Sequence, residues 1–181
     1  TFLSPQERGP EFLLVVGYYI IFACDELIAI SQDNLGAARQ RLMDILSNYQ
    51  GYRRCEIILV FDAYKVPRGV GEVSRYHNIY VVYTKEAETA DQYIEKFAHE
   101  NARRFDVSVA TSDGVEQVII LGQGCRLISA RELKEELDRV NGMLREEYLE
   151  QPGLKRNRLY DILPEEVIRQ MKEAAAEDKQ D

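Results

Sequence analysis

The sequence predicts an α/β protein, a three-layer α/β/α domain around a central, mainly parallel sheet of four to five strands. Two observations lead there. Short apolar runs recur at Phe12–Val16, Ile57–Phe61, Asn78–Thr84 and Val107–Thr111. Segments with apolar residues at helical spacing separate them, and strands alternating with helices build a parallel sheet covered on both faces. A third observation sets the scale: 181 residues are enough for one domain with a full core and too few for two comfortable ones. The domain is expected to span 1–181, with an N-terminal extension over 1–11 and a C-terminal helix and tail over 152–181.

Each element has its own signal. Phe12 to Val16 reads as a short buried strand, and Ile20 to Phe22 resumes the apolar pattern after Gly17-Tyr18-Tyr19 as a second strand segment. Asp33 or Asn34 is an N-cap for a helix carrying Leu35, Ala38, Leu42, Ile45, Leu46 and Tyr49 on one face, with Gly51 as its stop. Ile57 to Phe61 is a continuous apolar run and so a central strand. Residues 63–77 hold Pro67, Gly69 and Gly71 among charges and read as a loop. The next strand is Asn78–Thr84, followed by a helix from Thr89 to Arg104, a strand at Val107–Thr111, a short helix at Val115–Leu121 and a last strand at Cys125–Ile128. Ser129 and Glu132 form a capping box that opens a helix to Tyr148. Pro152-Gly153 breaks the chain, and Pro164 begins a final helix.

Composition excludes several classes. Hydrophobic residues at 45% and charged residues at 30% are ordinary for a soluble globular protein. No apolar run approaches the roughly 18 residues of a membrane span, and the opening TFLSPQERGP lacks the basic start and apolar stretch of a signal peptide. A cytoplasmic protein without membrane association is expected. The chain starts on Thr1, which fits a processed product or a piece of something longer. Cys24, Cys55 and Cys125 show no zinc spacing and are expected to be buried, reduced thiols. A net charge of −8 argues against coating nucleic acid by bulk attraction. Arg53-Arg54, Arg103-Arg104 and Lys155-Arg156-Asn157-Arg158 leave room for a local basic face. The sequence does not set an oligomeric state.

Carboxylates gather where the strands run out. Asp62 ends ILVFD, Asp113 follows VSVATS, and Asp91 lies just downstream of the strand ending at Thr84. Ligands of parallel α/β sheets bind at the carboxyl ends of strands, and a hard divalent cation wants oxygen ligands there. Each acid also has a plainer role open to it. Asp62 and Asp113 suit turns or helix caps, and Glu88 and Asp91, three apart at a helix start, suit the positive end of a helix dipole. His77 and His99 have no partners at catalytic spacing. Tyr64 and Tyr76 beside Lys65, Arg68 and Arg75 combine rings and cations as single-stranded RNA binding would use them, or form a solvated loop.

A more specific signal lies between these acids. FDAYK (61–65), YHNIYVVYTKEAETADQYIEK (76–96), VATSDGVEQ (109–117) and SARELKEE (129–136) together resemble the YacP-like NYN-domain ribonucleases, relatives of the PIN nucleases. The likeness covers residues 12–145, and the helix expected at 164–176 resembles the family's C-terminal helix. It implies a PIN/NYN-like fold and metal-assisted phosphodiester hydrolysis with Mg²⁺ or Mn²⁺. Its best-understood members resemble an endoribonuclease that enters the ribosomal A site and cuts translated messenger RNA. Carried over by motif, Asp91 and Asp113 would be the principal ligands, helped by Asp62 and Glu88, while Ser112 and Thr111 would position a phosphate or a water. The first motif departs from the family: members read VDGYN where this chain has Val15-Val16-Gly17-Tyr18-Tyr19. The resemblance thus implies a missing Asp at Val16 and a missing Asn at Tyr19, and with them an impaired nuclease. The alternative is a non-catalytic RNA- or ribosome-binding module, including one carried as an appendage of a larger translation factor.

Overall fold

The structure, a computed structural model, describes residues 9–63 and 71–150. Tyr64, Lys65, Arg68, the segment 1–8 and the region from 151 onward, with its expected C-terminal helix, lie outside them. Residues Thr1–Val140 and Asn141–Asp181 form two units, and the sheet belongs to the first. Among the described residues the sheet has six strands: β1 (Gly9–Val16), β2 (Glu56–Phe61), β3 (Val73–Tyr76), β4 (Ile79–Tyr83), β5 (Phe105–Ala110) and β6 (Arg126–Ile128). Their order is β3-β4-β2-β1-β5-β6, with every pairing parallel except β3 on β4.

The expected count of four to five strands falls short by the edge strand β3, which lies inside the segment read as a loop. Val73-Ser-Arg-Tyr76 alternates like a strand, but it is too short and polar to stand out, and its pairing with β4 is what makes it one. The turn that follows is held at His77, with φ of 50°. There Asn78 donates to the Ser47 carbonyl at 3.0 Å and to Gln50 at 2.6 Å.

A second correction concerns the segment after β1. Gly17–Ala23 is a helix, α1, and after a break at Cys24 the chain continues as α2 (Asp25–Asp33). Tyr18-Tyr-Ile-Ile-Phe22 is apolar at every position, so no helical period shows, and its β-rich composition mimics a strand. The next helix, α3 (Leu35–Arg53), starts as expected with Asn34 accepting from the Ala37 amide at 3.2 Å. It overruns Gly51 and stops at Arg54, which takes the left-handed conformation (φ 58°) while its N–H bonds the Gln50 carbonyl.

The remaining helices are α4 (Ala90–Asn101), α5 (Gly114–Gly122) and α6 (Ala130–Glu150). Thr89 and Gln92 close a capping box on α4, and Ser129 accepts from the Glu132 amide at the start of α6. Alternate strand residues face opposite layers. Leu14, Val16, Ile58, Val60, Val82, Val107 and Val109 pack with Ala90, Ile94 and Ala98 of α4. Their neighbours Leu13, Val15, Ile57, Leu59 and Phe61 are buried as well. Cys55 and Cys125 are buried while Cys24 is half-buried, and burial pushes the Cys55 thiol up to about 11, an unreactive state. Among the described residues no helix is long and apolar enough to cross a membrane.

Candidate functional site

From β1 the chain leads toward β2, and from β5 it leads the other way, toward β6. Such a reversal opens a crevice at the carboxyl ends of the two strands. Val16 ends β1 there, Thr111-Ser112-Asp113 follows β5, and Asp62 follows β2. Asp91 reaches the same edge because it stands in the first turn of α4.

Asp62 is half-buried, and its Oδ1 accepts from the Ala90 amide at 2.8 Å. It therefore ties the end of β2 to the start of α4, the capping role its position allowed. Thr84, only 1% exposed, adds a second tie: its Oγ1 accepts from the Ala63 amide at 3.1 Å, and its amide donates to the Phe61 carbonyl. Replacing Asp62 by Ala is expected to cost about 1 kcal/mol, the usual worth of a helix-terminal acceptor. Asp62→Asn, which keeps an acceptor oxygen, should recover most of it. Urea denaturation of the metal-free proteins checks this, since an Asp62 that served only as a ligand would not weaken the metal-free fold.

Asp91 is the most informative group. Its Oδ2 accepts from the Tyr19 hydroxyl at 3.3 Å, while its Oδ1 is buried with no hydrogen-bond partner among the described residues. Buried polar atoms without partners are rare and call for an explanation. Tyr19 lies on α1 and packs against the α4-side core. The sequence marks this position only as the place of a missing Asn; the bond to Asp91 is a finding of the structure. As a helix residue three places beyond Val16, Tyr19 follows the strand end by one turn.

Asp113 caps α5. Its Oδ1 accepts from the Val115 amide at 2.9 Å, and its own amide donates to Thr111 Oγ1 at 3.2 Å. Thr111 is fully buried and spent on this turn, so it is not available to hold a phosphate; Ser112 is exposed. Glu88 does not share a helix face with Asp91. It precedes the Thr89 cap, in a turn where its amide bonds the Lys85 carbonyl at 2.9 Å. His99 sits in the last turn of α4, at the far end from Asp91.

Val16 is 3% exposed and packed in the cluster that holds Ala90 and Tyr19, the residues that flank or bond Asp91. Gly17 brings the layers together. A Cβ built on it would stand 2.3 Å from the ring of Phe61, which is fully buried, stacked on Tyr83 and in tilted contact with Tyr18. The start of α1 thus lies directly against the end of β2, next to Asp62.

Among the described residues no three His, Cys, Asp or Glu side chains are grouped closely enough to hold an ion by themselves. The donor set suits a water-rich ion instead. Mg²⁺ keeps several waters and needs only one or two carboxylates, and the Asp91 Oδ1 would be one such oxygen.

The expected basic and aromatic surface divides in two. Arg75 is exposed, stacks its guanidinium 5.0 Å over the Tyr80 ring and donates to the Tyr80 hydroxyl at 3.1 Å. Tyr76 points to the other face of β3, where its hydroxyl donates to Asp44 of α3 at 2.5 Å. Only Arg75 of this pair is left for an RNA surface.

Comparison with known proteins bears on the family and the fold. The YacP-like NYN domain matches residues 13–176. A Bacillus subtilis (strain 168) protein described as "Uncharacterized protein YacP" is 40% identical over 131 residues, which is 72% of this chain and 76% of that one. The crystal structure of Rae1 (YacP) from Bacillus subtilis superposes with a TM-score of 0.66 at 34% identity, covering 92% of this chain and 95% of that one. A crystal structure of a mutant of that same protein gives a TM-score of 0.67 at 35% identity, covering 78% of this chain and 83% of that one. With a domain match reaching from β1 past α6 and solved relatives of the same fold, this chain belongs to the YacP-like NYN domain family.

Proposed function

We propose that this chain is a metal-dependent endoribonuclease-type domain that acts on messenger RNA at the ribosome, in the cytoplasm, with catalysis weakened by Val16. The observation that carries the reading is the buried, unpartnered Asp91 Oδ1 at the carboxyl edge of the sheet, held beside Tyr19. Asp91 would be the main holder of Mg²⁺ or Mn²⁺, with Asp113, Asp62 and Glu88 supporting it through water or directly. A cation held there would supply Lewis acidity, toward a water and toward the charge of a phosphate. The chain's own part is to orient Asp91 through Tyr19 and to fix the edge through Asp62 and Asp113. Val16 offers the site an isopropyl group, which excludes water and contributes no ligand.

RNA contact is assigned to Tyr64, Lys65 and Arg68 of the segment that leads into β3, to Arg75 within β3, and to Ser112 at the sheet edge. An acidic chain cannot hold RNA by its overall field, so a local patch must do so. Co-sedimentation with 70S ribosomes tests this. A Lys65/Arg68/Arg75→Ala variant should pellet less than the parent. Its log–log salt slope should be lower by about 2, from three lost phosphate contacts at roughly 0.7 each. Equal pelleting of both proteins would remove the patch from the reading.

One observation favours a second reading, a non-catalytic RNA- or ribosome-binding module, including one attached to a larger translation factor. Val16 is packed into the apolar core, as a residue freed from catalytic duty would be.

A further inference from the structure

We infer that Tyr19 is a positioning residue: its hydroxyl fixes the orientation of the Asp91 carboxylate so that Oδ1 is the oxygen presented to a cation. The inference rests on the reading of Asp91 as the cation holder. Two independent features carry it. The Tyr19 hydroxyl donates to Oδ2 at 3.3 Å, and the other oxygen of the same carboxylate is buried without a partner. An acid in the first turn of a helix has competing acceptor roles, because the first amides of that helix are themselves unbonded. In α4 the amides on either side of Asp91 are already served. Asp62 takes the Ala90 amide and Thr89 takes the Gln92 amide, so Asp91 is not drawn back onto its own helix.

The phenol is placed to act through the carboxylate, not on a substrate. Tyr19 is half-buried and its ring packs with the core cluster that includes Val16 and Ala90. At 3.3 Å the bond is longer than the usual O–H···O separation of about 2.7–2.8 Å. It directs the carboxylate more than it binds it. Groups that orient a metal-binding side chain typically change metal affinity by about 10–100-fold when removed, and a long bond belongs at the lower end.

The test is Tyr19→Phe, which keeps the ring and its packing and removes only the hydroxyl. In the metal-free protein, three-bond couplings at Asp91 report its χ1 rotamers. A single rotamer is expected in the parent and averaging in Tyr19→Phe. Calorimetric titration with Mn²⁺ should show affinity about tenfold weaker in the variant, at an unchanged melting temperature. One rotamer retained in Tyr19→Phe, or an unchanged Mn²⁺ affinity where the parent binds, overturns the inference. Averaging at Asp91 with no Mn²⁺ binding by either protein keeps the positioning role and removes the cation reading.

Discussion

Val16→Asp is expected to bind Mn²⁺ about 10–100-fold more tightly than the parent, and to melt at a lower temperature when no metal is present. Both effects follow from where Val16 lies. It is 3% exposed, at the end of β1, in the cluster shared with Ala90 and Tyr19. Replacing it removes roughly 1.5–3 kcal/mol of apolar burial and adds a carboxylate to a buried site that already holds Asp91. Such a charge is costly unless it is paired or coordinated. A cation would offset that cost, and the stability of the variant should therefore rise with Mn²⁺ concentration. At 100 times the dissociation constant the gain is about 2.7 kcal/mol. Calorimetric titration and melting curves with and without Mn²⁺ check the two effects. Equal affinity in both proteins would place Val16 outside the coordination sphere.

Gly17→Ala is expected to be the most damaging small substitution at the site. A methyl group there meets the Phe61 ring at 2.3 Å, and that ring has no room to retreat because Tyr18 and Tyr83 pack against it. Overpacking of this kind costs about 1–3 kcal/mol. The helix-propensity gain of Ala over Gly, at most about 1 kcal/mol, works the other way and does not cancel it. In a chain of this size each kcal/mol moves the melting temperature by roughly 2–4 °C, so a fall of several degrees should be seen by calorimetry. Since Gly17 sets α1 against the end of β2, the same change should also disturb Tyr19 and Asp62. Gly51, with nothing within 4 Å of an added Cβ, serves as the control.

Much of this layout was legible in the sequence, and the failures have physical causes. The parallel strands were found because Phe12–Val16, Ile57–Phe61 and Val107–Thr111 are continuous apolar runs, the mark of strands buried on both faces. Asn34 and Ser129 were found because a cap is a local event between a side chain and amides three residues on. What escaped depends on partners distant in sequence. β3 is a strand by virtue of β4, and the site role of Tyr19 depends on a bond to a residue 72 positions away. α1 was hidden because a helix buried among strands loses its polar face and with it its period. Asp62 and Asp113 do follow strands β2 and β5, and the duty the structure shows for them is structural. Asp62 and Asp113 each give one oxygen to a helix start, and of the three acids Asp91 is the one that keeps a buried oxygen unspent.

The central claim is that the sheet edge around Asp91 is a cation-dependent RNA-cleaving site held back by Val16. Mn²⁺-dependent cleavage of a single-stranded RNA by the parent, by Val16→Asp and by Val16→Asp combined with Asp91→Asn tests it most directly. The expected result is weak cleavage by the parent, a rate higher by at least about tenfold in Val16→Asp, and loss of that gain in the double variant. A Val16→Asp protein that folds, binds Mn²⁺ and cleaves no faster than the parent would contradict the claim, as would a double variant that keeps the full rate.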